Sequence, residues 1–129
     1  MIYVIEMEVR IFYPKRTPEE NLKSSWYMKV CYHNELPTVD QIKNDYEQLP
    51  ISKEYWQENK VSEFPNCQYT LETLFEIFNT GLNPMSAPEM QQWIRDNKVT
   101  HTSMSVGDVV ALDNDYFICD VEGWTKLEA

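Results

Sequence analysis

The 129 residues of this chain suit a single domain, 1–129, large enough to bury roughly two-thirds of the surface its unfolded form exposes. A hydrophobic fraction of 43% with 25% charged residues sets it apart from disordered chains. Its 21 acidic residues against 11 basic ones, a formal net charge of −10, repel nucleic-acid phosphates and anionic lipid. Direct nucleic-acid and membrane binding are therefore not expected, and a protein partner is, a basic nucleic-acid-binding protein being one candidate.

Taken in chain order, Tyr3, Ile5, Met7, Val9, Ile11 and Tyr13 fall on odd positions with Glu6, Glu8 and Arg10 between them. This period of two predicts a strand over about 2–13 with one buried face, ended by Pro14. The polar stretch KRTPEENLK reads as a loop. SSWYMKVCYH alternates again, predicting a second strand over 25–33 that pairs with the first. Trp26, Met28, Val30 and Tyr32 share one of its faces, and Tyr27, Lys29, Cys31 and His33 the other.

Thr38 with Gln41 three residues on forms a capping box, and Val39, Ile42, Tyr46 and Leu49 recur at helical spacing, predicting a helix over 39–49 that Pro50 stops. Residues 51–66 read as a short helix and then loop. Leu71, Leu74, Phe75, Ile77 and Phe78 predict a helix over 71–79, with Thr70 at its start and Gly81 as a left-handed terminator. A third helix, 87–97, begins after a capping Ser86 and buries Met90, Trp93 and Ile94. The tail is a meander of strands over 108–112, 116–121 and 124–128, turned by Asp113 to Asp115 and again at Glu122 and Gly123. Segregated strands and helices of this kind predict an α+β fold, a small antiparallel sheet with helices packed mainly on one face.

Cys31, Cys67 and Cys119 are odd in number and widely spaced, without a CxxC pair. MIYVIEMEV lacks a basic leader and is interrupted by Glu6 and Glu8. A reduced, cytoplasmic protein is the simpler expectation. Cys67 and Cys119 read as buried, inert thiols, and Cys31 with His33 as a weak candidate for nucleophile and base. Two isolated histidines and dispersed cysteines show no metal-ligand spacing, and no phosphate-cradling or nucleophile-elbow motif is present. The expectation is no metal, no cofactor and no catalytic residue.

The segment HTSMSVGDVV, 101–110, is the one that looks most like a site. Gly107 and Asp108 suit a turn that launches a strand, while His101, Ser103, Ser105 and Asp108 could also meet a ligand. Tyr27 and His33, on one face of the predicted second strand, are candidates for a partner surface if no helix layer covers them. Residues 70–127 resemble the YodL-like domains of phage, plasmid and other mobile-element proteins. The resemblance rests on Leu71, Leu74, Phe78, Asn79, the string SMSVGDVV from Ser103 to Val110, Tyr116, Cys119, Gly123 and Trp124, with Thr102 where that pattern carries a basic residue. It implies a mobile-element setting and no particular reaction.

Together these features predict a non-enzymatic protein-interaction module, a candidate phage or plasmid accessory factor. One alternative is an acidic inhibitor that mimics nucleic acid, using Asp45, Glu47, Glu54, Glu58, Glu72 and Glu76. The other is a small-ligand binder or enzyme built on the loop 100–108, which requires a concave pocket and a hydrogen-bonded His101.

Overall fold

Alternation along the first strand builds the centre of the sheet, because each face of that strand meets a different layer of helices. The computed structural model describes residues 7–16 and 25–128. Within them the order is β1 (Val9–Pro14), α1 (Trp26–His33), α2 (Val39–Asp45), β2 (Tyr46–Gln48), α3 (Lys53–Glu58), α4 (Cys67–Ile77), α5 (Pro88–Asp96), β3 (Val109–Leu112), β4 (Asp115–Asp120) and β5 (Gly123–Lys126). The strands form one antiparallel sheet in the order β2-β1-β3-β4-β5. The α+β class stands.

Val9, Ile11 and Tyr13 of β1 and Val110 and Leu112 of β3 pack with Trp56, Leu71, Leu74, Phe78 and Ile94 on one face. That face carries α3, α4 and α5, and so most of the helical residues. Phe12, Val109 and Ala111 point the other way and meet Trp26, Val30 and Ile42 of α1 and α2. Each large apolar side chain so buried contributes about 1.5–3 kcal/mol, and β1 and β3 draw that gain from both faces.

The predicted strand over 25–33 is corrected to a helix. Its alternating pattern also places Trp26 and Val30 four residues apart, and on α1 these are the two buried residues. Local chemistry decides between the periods: the Ser25 hydroxyl accepts from the Met28 amide at 3.2 Å, and Asn34, at φ 53°, ends the helix in the left-handed conformation. The helix predicted over 39–49 is shortened. Its capping box forms as read, but the chain leaves the helix after Asp45 and Tyr46–Gln48 pair with Phe12–Pro14. The edge of β1 needs a hydrogen-bonding partner, and Tyr46 gains a buried bond from its hydroxyl to the Gly107 carbonyl at 2.7 Å.

Other boundaries shift by less. Helix α4 starts earlier than predicted, capped by the Asn66 side chain on the Tyr69 amide at 2.9 Å, and it ends at Phe78 with an ordinary φ of −76°, so Gly81 is not its left-handed terminator. Helix α5 begins at Pro88, after Ser86 has closed a 3-10 turn. The meander matches its prediction to within two residues, with Asp113 at φ 55° in the β3–β4 turn. The first strand is described from Val9; the part predicted before Met7 lies outside the described residues.

Gly107 lies close against the backbone at the start of α1. Its φ is +96°, and a Cβ there would sit 3.3 Å from the Tyr27 amide nitrogen and 3.4 Å from the Tyr27 Cα. Gly107→Ala is expected to lose about 1–3 kcal/mol from backbone strain, with the push on α1 added. Gly81→Ala, where a Cβ meets nothing within 4 Å, is the control. Urea denaturation checks the pair, and equal stability of the two variants would contradict the packing described.

Candidate functional site

The loop between α5 and β3 is fixed from beneath by amides of the helical layer. Asn79 donates to the Met104 carbonyl at 3.0 Å, and the buried Asn83 donates to the Phe78 and Thr102 carbonyls at 2.8 and 3.1 Å. Gln91 of α5 donates to the Thr102 hydroxyl at 2.8 Å, and the Tyr13 hydroxyl to the Thr102 carbonyl at 3.1 Å. Met104, 1% exposed, plugs the same loop into the core.

The loop ends in a turn closed twice. The Asp108 amide donates to the Ser105 carbonyl at 3.1 Å, and the Ser105 amide donates to Asp108 Oδ2 at 2.7 Å. Gly107 supplies the positive φ at the third position. The main chain of this turn then joins the ladder, Gly107 donating to the Cys119 carbonyl and the Cys119 amide to Asp108. The segment is therefore a strand launch, as its turn chemistry indicates. It is also more than that.

Asp108 is fully buried, and His101 Nε2 lies 2.8 and 2.9 Å from its two carboxylate oxygens. The imidazole stacks on Tyr13, ring centroids 4.4 Å apart and planes 13° apart, which fixes its orientation. Desolvation pushes the Asp108 carboxyl up to about 6, while the bond and charge of His101 and the Ser105 amide pull it down. Burial and the nearby Asp108 raise the Tyr13 hydroxyl above its usual range, so it remains a neutral donor. With Nε2 on the carboxylate, the other ring nitrogen, Nδ1, meets the Thr100 hydroxyl at 3.3 Å.

His101 keeps about a quarter of its side chain exposed, and that part opens on a cleft of about 340 Å³. Three segments meet there: Pro14, Lys15 and Arg16 where β1 ends, Ser25, Trp26 and Tyr27 where α1 begins, and Thr100, His101, Ser105 and Val106 of the loop. A larger cavity of about 700 Å³ lies elsewhere, between Val9, Arg10, Ile51, Trp56 and Val61. Glu8, Arg10 and Lys53 are its ionic lining, and the Arg10 guanidinium turns to the other face of the sheet, 3.3 Å from Glu8 and over Phe12 and Tyr116. We place the site at the smaller cleft because a buried carboxylate, an oriented imidazole and free volume coincide there.

No family model matches the chain, and no solved structure does. Among curated proteins it is 45% identical over 62 residues to "Uncharacterized protein R785" of Acanthamoeba polyphaga mimivirus, a match covering 48% of this chain and 56% of the viral protein. The chain thus matches about half the length of that relative.

Of the residues singled out from sequence, the structure brings His101, Ser105, Asp108 and Tyr27 together. Ser103 is exposed and does not line the cleft. His33 is exposed in the last turn of α1 and outside the cleft; helical geometry separates it from Cys31, so the pairing drawn from a strand face does not exist. Burial pushes the Cys119 thiol up to about 12, whereas Cys67 is exposed, not buried as predicted. Lys15, Arg16, Trp26 and Tyr13 went unflagged. Of the acids considered for mimicry, Asp45 accepts from the Trp26 indole at 3.1 Å and Glu47 pairs with Lys15 at 3.7 Å, while Glu54, Glu58, Glu72 and Glu76 are exposed on α3 and α4. Among the described residues no group of three His, Cys, Asp or Glu is placed to hold a metal, and no helix is long and apolar enough to cross a membrane.

The raised carboxyl sets a sign for stability. The folded state binds the Asp108 proton more tightly than the unfolded chain, so this group's contribution is fully present below about pH 4 and lost as pH rises through about 6. A shift of about two units corresponds to roughly 3 kcal/mol. Asp108→Asn does not titrate. The stability of wild type minus that of the variant, from urea denaturation, is expected to fall by roughly 2–3 kcal/mol between pH 4 and pH 7; a difference independent of pH would contradict the burial of this carboxylate.

Proposed function

We propose that the chain is a small-ligand-binding module whose cleft is keyed by His101 held on Asp108. The observation that carries this reading is the position of His101, one ring nitrogen bonded to a fully buried carboxylate and the exposed part of the ring on a 340 Å³ cleft. A single unexposed ion pair would serve the turn equally well, but an imidazole fixed by a stacked tyrosine and left open to free volume is pre-organised for a ligand. Nδ1 accepts a hydrogen bond when the ring is neutral and donates one when it is charged. Thr100, His101 and Asp108 form a chain of hydroxyl, imidazole and carboxylate, with 3.3 Å from the hydroxyl to Nδ1. Binding without turnover is the reading adopted.

A second reading, docking of a protein partner, draws support from the outer side of α1 and the residues after it, where Tyr27 is 46% exposed, Tyr32 68% and Leu36 38%. The resemblance to YodL-like domains and the similarity to a viral protein favour a mobile-element or viral setting for either role.

A fragment screen read by amide chemical shifts tests the first reading. Binding fragments are expected to move the resonances of Tyr27, Thr100, His101 and Ser105 together, and His101→Gln to weaken them about tenfold, roughly 1.4 kcal/mol. Fragments that move only residues around Trp56, or none at all, would sink the assignment.

A further inference from the structure

Among the described residues, the charged side chains that line the cleft are basic, against the acidic balance of the chain. The chain carries a formal net charge of −10, yet Lys15, Arg16 and His101 line the cleft and none of the described lining residues is acidic. Two carboxylates stand behind this wall, Glu47 at 3.7 Å from Lys15 and Asp108 on His101, and neither is among the lining residues. The first residues of α1 lie on the opposite wall, adding the positive end of a helix of eight residues. Resting on the cleft reading above, we propose that the ligand carries an oxyanion, phosphate or carboxylate, attached to a small flat organic body.

The body follows from volume and lining. At about 30 Å³ per water, a bare oxyanion fills only a fraction of the 340 Å³ available. Pro14, Tyr27 and Val106 add apolar surface suited to a ring, beside the hydroxyl-bearing Ser25, Thr100 and Ser105. Arg16, exposed at the rim, matches the two oxygens of such a group with a planar fork of donors, and Lys15 adds a second cation on the same wall.

The test is titration of the full chain with phenyl phosphate, benzoate, inorganic phosphate and benzyl alcohol, followed by amide chemical shifts at low ionic strength and again at 0.15 M salt. Phenyl phosphate or benzoate is expected to move Lys15, Arg16, Tyr27 and His101, at least tenfold more tightly than benzyl alcohol or inorganic phosphate, and to weaken with salt. The tighter of the two anions assigns the group. Arg16→Gln is expected to cost at least fivefold in affinity with an unchanged thermal midpoint. Benzyl alcohol binding in the cleft as tightly as the anions would overturn the oxyanion while leaving the cleft reading intact. Inorganic phosphate binding as tightly as phenyl phosphate would overturn the organic body. An unaffected Arg16→Gln would overturn the recognition described, and no shift at the cleft with any probe would overturn both proposals.

Discussion

A carboxylate with no exposed surface must be compensated, and the arrangement around Asp108 follows from that requirement. Its side chain takes the Ser105 amide and the His101 ring, while its main chain joins both the turn and the β3–β4 ladder. Removing the His101 ring would leave a buried charge underbonded, a far larger loss than breaking a surface ion pair. One residue thereby ties the loop, the start of β3 and the open cleft into a single unit.

Neighbouring features serve the same unit. Gly107 lets the turn reverse without a Cβ, and its lack of a side chain allows the start of α1 to lie against it. Tyr46 accounts for its own departure from the helix by bonding the Gly107 carbonyl. Tyr13 belongs to the core, yet its ring is the platform for His101 and its hydroxyl holds Thr102. From the other face, Asn79, Asn83 and Gln91 hold the loop by carbonyl and hydroxyl contacts that loop residues alone could not supply. The cleft thus lies at one end of the sheet between the start of α1 and a loop that the α4–α5 layer holds.

How much of this was legible in the sequence differs by element. The meander from Val109 to Lys126 was readable because β-branched runs bracket Asp113 and Asn114, residues that tolerate a left-handed turn. WYMKVCYH was not, because eight residues satisfy a period of two and a spacing of four at once; only Ser25 before it and Asn34 after it mark a helix. Tyr46 and Leu49 continue a helical pattern in sequence, but tertiary pairing with β1 overrides it. Loop 100–108 was visible as a candidate site, and His101 and Asp108 were both named within it. Lys15, Arg16 and Trp26 join them only through the end of β1 and the corrected helix, so no local pattern announces them.

The central claim is that His101 is held through Nε2 by a buried carboxylate, with Nδ1 on the Thr100 hydroxyl and the exposed edge of the ring on the cleft. Long-range proton–nitrogen correlation spectra of the imidazole test it most directly, since they identify which ring nitrogen bears the proton. The account predicts a protonated Nε2 with a slowly exchanging proton in wild type, lost in Asp108→Asn. A ring protonated at Nδ1 alone, or an Nε2 proton indifferent to that substitution, would contradict it.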